Sequence, residues 1–174
     1  NTLEALVGAY LLLRLTDFKP SLERVTDVVW LVTLGAVLST MVSATVGTGS
    51  LLAAGEIEGA DVSTVWRTWW LGDMGGDLLI APALMVAFTH WPYSRLPGGL
   101  VEAIALAAGI AATVVFAFTR EEPLTFLLLP LPILAAFRFR QPGAVGASLI
   151  TAAIAIPLTE DMQGPFAGFA PDDR

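Results

Sequence analysis

Residues 66–88 read WRTWWLGDMGGDLLIAPALMVAF and decide the fold class of this chain. A helix of this length rises about 34 Å at roughly 1.5 Å per residue, enough to cross the ~30 Å hydrocarbon core of a bilayer. Three tryptophans stand at its start, where indole rings commonly mark the membrane interface and keep their N–H groups in water. The segment therefore predicts a transmembrane helix with its tryptophan end at a membrane surface.

The rest of the chain has the same apolar character. Hydrophobic residues make up 55% and charged residues 14% of the sequence, whereas soluble domains carry about 25% charge. We therefore predict an all-α polytopic transmembrane helix bundle, with residues 1–174 as one domain and Pro130 and Pro132 kinking the fifth segment. Apolar runs between charged or Pro/Gly-rich breaks give about five to six helical segments, at 3–15, 25–52, 66–88, 100–118, 124–137 and 144–158.

The orientation of the bundle follows from the bias of Lys and Arg toward cytoplasmic loops. Alternate connections carry six basic residues on one side and three on the other. The bias places the C-terminal tail on the external side of the membrane. The connections at Lys19, Arg95 and Gln141 are predicted to be cytoplasmic, and those at Glu58, Glu122 and Asp161 external.

Several classes of chemistry are disfavoured by the composition. The chain has no cysteine and one histidine, His90, so disulfides, metal sites and a catalytic triad are not expected. No nucleophile–base pair is visible, so no catalytic residue and no cofactor are predicted. The formal charge of −7 disfavours nucleic acid as a partner, because nucleic acid selects clustered Lys and Arg.

The residues most suggestive of function are carboxylates within the apolar segments. Asp73 and Asp77 are four residues apart and share a helix face, and Glu4 falls at a depth similar to that of Asp77. Charged groups at this depth are costly and normally face the bundle interior with a partner, so Asp77 is expected to be protonated or paired. Structural cross-linking of helices and a ligand or proton site both stay open. The candidate ligand-binding or signalling residues are Asn1, Glu4, Trp69, Trp70, Asp73 and Asp77.

The second segment carries a row of small residues at four-residue spacing. Such rows let helices approach closely, and packing alone is the favoured interpretation. Prolines in the third and fifth segments are further packing candidates. The complete set is Gly35, Ser39, Ser43, Gly47, Pro82 and Pro130.

Four motifs resemble the first type of bacterial membrane-associated sensor domain. They are the opening residues 1–12, Trp-Trp-Leu-Gly-Asp at 69–73 with Pro82, Leu129-Pro130 leading to Arg138-Phe139, and Gly-Pro-Phe at 164–166. That family often has glycine after Arg-Phe, where this sequence has Arg140. The resemblance spans nearly the whole chain and implies a non-catalytic input domain.

The resemblance also implies what lies outside the sequence and what the chain contacts. Earlier helices before Asn1, and a final helix with a cytoplasmic histidine kinase, diguanylate cyclase or phosphodiesterase after Arg174, are expected. Expected partners are the lipid bilayer and that output domain, with a second copy, another membrane protein or a small ligand as candidates. The alternative function is a transporter or proton-coupled carrier that uses the intramembrane carboxylates. The lack of a visible inverted repeat counts against this alternative.

Overall fold

The structure is a computed structural model that describes residues 2–89, 99–119 and 124–160. Its described residues form long helices, which confirms the prediction of an all-α helix bundle. A short 3₁₀ turn, Leu124–Leu128, precedes the last helix. The helices are α1 (Thr2–Leu15), α2 (Val25–Ala54), α3 (Val62–Thr89), α4 (Gly99–Phe118) and α5 (Pro130–Glu160).

Within the described ranges, four helical stretches are long and apolar enough to cross a membrane. They are α2, α3, α4 and the stretch Phe126–Thr159. Many large apolar side chains lie on the outside of these helices, and Val101 and Phe137 are 82% and 85% exposed. Contiguous apolar surface of this kind is rare on soluble monomers and suits contact with lipid.

The chain divides into two compact units, Asn1–Met85 and Val86–Arg174, with the boundary inside α3. In the first unit, α1 lies against α2 through small residues on both helices. A β-carbon on Gly8 would lie 3.3 Å from the Ser39 β-carbon, and one on Gly35 would lie 3.4 Å from a Leu12 methyl group. Gly35 and Ser39 of the small-residue row therefore face α1, and Ser39 and Ser43 are both buried.

The middle of α2 is a π-helix, Leu31–Leu38, between two α-helical stretches. The sequence predicted only a continuous apolar helix here, because side-chain periodicity over eight residues does not separate the two forms. The amide of Ser39 donates to the Leu34 carbonyl, five residues back, as the wider turn requires. The Val37 carbonyl in this stretch accepts a hydrogen bond from the Trp70 indole at 3.0 Å.

Two tryptophan side chains of α3 bind α2. Trp66 donates its indole N–H to the Thr45 hydroxyl at 3.0 Å, and the Trp66 and Trp70 rings stack with centroids 5.5 Å apart. Groups on α2 therefore accept a hydrogen bond from each of the two indoles, and the Trp66 bond lies at an exposed position.

In the second unit α5 is sharply bent rather than straight. Arg140 adopts φ 57° and ψ −142°, and a β-carbon on Gly143 would collide with the Ala135 carbonyl. In a straight helix Ala135 and Gly143 would lie about 12 Å apart along the axis, so the chain folds back on itself. Two helical arms result, in agreement with the predicted break between residues 137 and 144.

The prediction that Pro130 and Pro132 kink the fifth segment holds only in that this segment is interrupted before Pro130, where a bend at Leu129 separates the 3₁₀ turn from α5. Pro130 is the first residue of α5, where the missing N–H of proline has no helical partner to lose. The sharp bend within α5 lies at Arg140. Ala135 and Ala147, on either side of the bend, pack with Ile110 and Val114 of α4 in one buried cluster.

We predict that Arg140→Gly stabilises the protein by about 1 kcal/mol. The backbone angles of Arg140, φ 57° and ψ −142°, are accessible to glycine and strained for other residues. Thermal unfolding in detergent micelles measures the change. Arg140→Ala removes the same charge and keeps the β-carbon, so a gain in that variant as large as in Arg140→Gly would contradict the prediction.

Candidate functional site

Three of the predicted carboxylates line one cavity of about 380 Å³ in the first unit. Glu4 comes from α1, and Asp73 and Asp77 come from successive turns of α3. Gly72 and Gly76 stand beside the aspartates, and a β-carbon on either would meet nothing within 4 Å. The two glycines therefore leave the space in front of the carboxylates open.

The burial of the three carboxylates differs. Glu4 is 7% exposed, whereas Asp73 and Asp77 are both half-buried. One oxygen of Asp73, Oδ2, is fully buried and has no hydrogen-bond partner among the described residues. Side-chain exposure does not separate Asp77 from Asp73, and the most buried member of the set is Glu4.

The buried position of Glu4 follows from the register of α1. Glu4, Gly8 and Leu12 form one row at four-residue spacing and are the buried residues of this helix. Gly8 lies against Ser39, so the antiparallel register places Glu4 one turn further along α2. Glu4 and Ser43 accordingly line a second cavity together.

This second cavity has a volume of about 290 Å³ and is also lined by Trp69 and Gly47. A β-carbon on Gly47 would lie 2.5 Å from the Trp69 ring, closer than real β-carbons approach other atoms. The absence of a side chain at Gly47 therefore sets the position of the Trp69 ring. Glu4 lines both cavities.

We predict that Gly47→Ala destabilises the protein by about 1–3 kcal/mol, because the added methyl group must displace the rigid Trp69 ring. Gly49 is the matched control, since a β-carbon there would meet nothing within 4 Å. Gly49→Ala should leave stability unchanged or raise it by up to about 1 kcal/mol, through helix propensity. Equal thermal unfolding of the two variants in micelles would be evidence against the packing described.

The other predicted residues lie away from the two cavities. Trp70 is bound to the Val37 carbonyl, and Pro82 lies within the unbroken helix α3. Pro130 begins α5 in the second unit. Asn1 lies outside the described residues, so its role as a candidate ligand-binding or signalling residue stays a prediction.

Asp27 is not among the residues predicted from the sequence, and its side chain is completely buried at the start of α2. Its carboxylate accepts hydrogen bonds from Arg24 Nε at 2.8 Å and Nη2 at 2.6 Å, and from the backbone N–H of Lys19 at 3.0 Å. Arg24 also contacts Asp17 at 2.9 Å. An Arg–Asp pair three residues apart at the head of an apolar segment was the available signal.

This network of ion pairs shifts the pKa values of Asp17 and Arg24, which lie outside the apolar segments. The hydrogen bond from Arg24 holds the pKa of Asp17 below its usual value. Hydrogen bonds to Asp27 and then Asp17 raise the pKa of Arg24. The guanidinium therefore stays charged and joins the α1–α2 connection to the first turn of α2.

In the second unit, Glu102 of α4 accepts a bidentate contact from Arg138 of α5. Arg138 Nη2 lies 2.5 Å from Glu102 Oε2, and Nε contacts Oε1. The guanidinium also lies 5.7 Å from the centre of the Phe139 ring. Both charged side chains are near 40% exposed, so the pair is a modest link between α4 and α5.

The long apolar helices define a membrane protein of the all-α class, in agreement with the class predicted from the sequence. The MASE1 family model matches residues 1–173, and the chain belongs to this family of membrane-associated sensor domains. None of the curated proteins and none of the solved structures match it.

Proposed function

We propose that the chain is the non-catalytic sensory input domain of a bacterial signal-transduction protein in the plasma membrane. It passes a ligand, partner or membrane signal to a cytoplasmic histidine kinase, diguanylate cyclase or phosphodiesterase. The signal acts by shifting the packing of helices around the carboxylate cavity, and no catalysis by this domain is involved.

The observation that carries this proposal is the cavity lined by Glu4, Asp73 and Asp77 in a member of a sensor family. Carboxylates within membrane helices are costly and usually mark functional sites. This cavity joins α1 to α3, so a change in its contents alters the contacts between two helices. Family membership favours this role over transport, which the carboxylates alone would also suit.

Two substitutions of Asp77 test the proposal in the full-length protein. Asp77→Asn keeps the shape and hydrogen bonding of a protonated acid, whereas Asp77→Leu removes both. A signalling role predicts that both variants reach the membrane in wild-type amounts while output is locked or lost. Asp61→Asn, in an exposed connection, is the matched control and should respond as wild type does.

The measurements are output of the attached module and membrane abundance of each variant. A purely structural role would instead leave Asp77→Asn normal and reduce the abundance of Asp77→Leu. Wild-type abundance and response in Asp77→Leu would refute the proposal that Asp77 takes part in signalling.

We also expect the α1–α2 connection to be cytoplasmic and the α2–α3 connection external, from the bias of basic residues. Lys19 and Glu58 are exposed in these connections, and the native chain has no cysteine. An impermeant thiol reagent applied to intact spheroplasts should label Glu58→Cys and leave Lys19→Cys unlabelled until the membrane is opened. Labelling of both variants from the same side would overturn this topology.

A further inference from the structure

The carboxylate cavity has an unbalanced charge. Its seven described lining residues include Glu4, Asp73 and Asp77 and no basic side chain. Apart from the three acids, the walls are Ala5, Ile80 and the two glycines. A cavity with acidic groups and otherwise apolar walls suits a ligand with a cationic group and an apolar body.

The side chain of Glu4 supplies an independent indication of a missing partner. It is more than nine-tenths buried and lines the cavity, and no hydrogen bond or ion pair joins it to the residues that the structure describes. Buried acids of this kind are normally paired. Asp73 lines the same space and has one fully buried oxygen, Oδ2, without a hydrogen-bond partner among the described residues.

The dimensions of the cavity favour an organic cation over a single metal ion. In the described part of the chain, no three His, Cys, Asp or Glu side chains are grouped closely enough to hold a metal ion. The volume of about 380 Å³ falls within the range of small-molecule sites. Asp73 and Asp77 are one helical turn apart, about 6 Å along the axis, so two separate ammonium groups match them better than one.

We propose that the cavity between α1 and α3 binds a short aliphatic diamine, with its ammonium groups on Glu4, Asp73 and Asp77 and its methylene chain against Ala5 and Ile80. This inference rests on the proposed sensory function and names the chemical class of the signal. Binding draws α1 toward α3, because Glu4 and the aspartates lie on different helices.

Direct binding to the full-length protein in lipid nanodiscs tests the inference. The probe is 1,4-diaminobutane, with 1,4-butanediol as the neutral molecule of the same length and butylamine as the single cation. We expect binding of the diamine, binding of butylamine that is about tenfold weaker, and no binding of the diol. Absence of diamine binding, or equal binding of the diol, would overturn the inference.

Two kinds of variant locate the binding site. Glu4→Gln removes a charge from the cavity and should weaken diamine binding by about tenfold or more. Gly76→Leu keeps all three acids and fills the open space in front of them, so it should abolish binding without changing the charge. Glu58→Gln, in an exposed connection, is the control for non-specific attraction and should bind as wild type does.

The binding and output measurements fail independently. If both cavity variants bind the diamine as wild type does, the inference is wrong, whatever the output shows. If the diamine does not bind but Asp77→Asn still alters output, the sensory role stands and this ligand class is rejected. If the diamine binds specifically but the Asp77 variants keep normal output, the result would support the binding site and count against the proposed function.

Discussion

Gly143→Ala is expected to destabilise the protein by about 3 kcal/mol, the upper end of the usual cost of overpacking. The added methyl group would collide with the backbone carbonyl of Ala135 and lie within 2.7 Å of the Phe139 β-carbon. A backbone carbonyl cannot rotate away as a side chain can. The two arms of α5 must therefore separate, and the buried cluster around Ala135 and Ala147 opens.

Gly146→Ala is the matched control, three residues further along the same arm. A β-carbon there would meet nothing within 4 Å, and it would extend into an apolar cavity of about 160 Å³. We expect this variant to be as stable as wild type or more stable by up to about 1 kcal/mol. Thermal unfolding of both variants in micelles measures the difference, and equal losses would show that the bend at Arg140 is not as described.

Asp27→Ala is expected to lower the amount of folded protein in the membrane several-fold, because a loss of this kind breaks a buried ion pair. Arg24 would lose both hydrogen bonds to this carboxylate, and the backbone N–H of Lys19 would lose its acceptor. The methyl group of alanine replaces none of them. The connection between α1 and α2 would then detach from the first turn of α2.

Asp17 provides the control for Asp27, because it binds the same guanidinium from the exposed side. The Asp17 side chain is 87% exposed, whereas that of Asp27 is fully buried. Asp17→Ala should leave membrane abundance close to wild type, since exposed ion pairs contribute little. Quantitative blotting of membrane fractions compares the two variants, and a similar fall in both would contradict the assigned role of burial.

The segments and several of their boundaries could be predicted from the amino-acid sequence. The runs 100–118 and 66–88 agree with α4 and α3 to within a few residues, because hydrophobicity over about 20 residues depends on composition alone. The similar depth of Glu4 and Asp77, which line one cavity, was also predicted, from the rise per residue. Depth along a helix follows from the number of residues, which can be counted in the sequence.

Details that depend on contact between helices could not be predicted. Asp27 was not singled out in the sequence, and its burial depends on contacts with Arg24 and the Lys19 amide. Pro130 begins α5 after a bend at Leu129 and does not kink the helix itself, because proline disturbs a helix interior and not its first residue. Arg140 stands where the family often has glycine, and the backbone at Arg140 adopts a conformation that favours glycine.

The sequence by itself determined the membrane class, the helical segments and the depth of the carboxylates, because these follow from local hydrophobicity and a fixed rise per residue. Only the tertiary structure decided that Glu4 is the most buried acid of the cavity and that Gly47 positions the Trp69 ring. Burial depends on which faces of two helices meet. That choice is made by side chains distant in the chain, such as Gly8 on α1 and Ser39 on α2, whose small size lets the backbones approach.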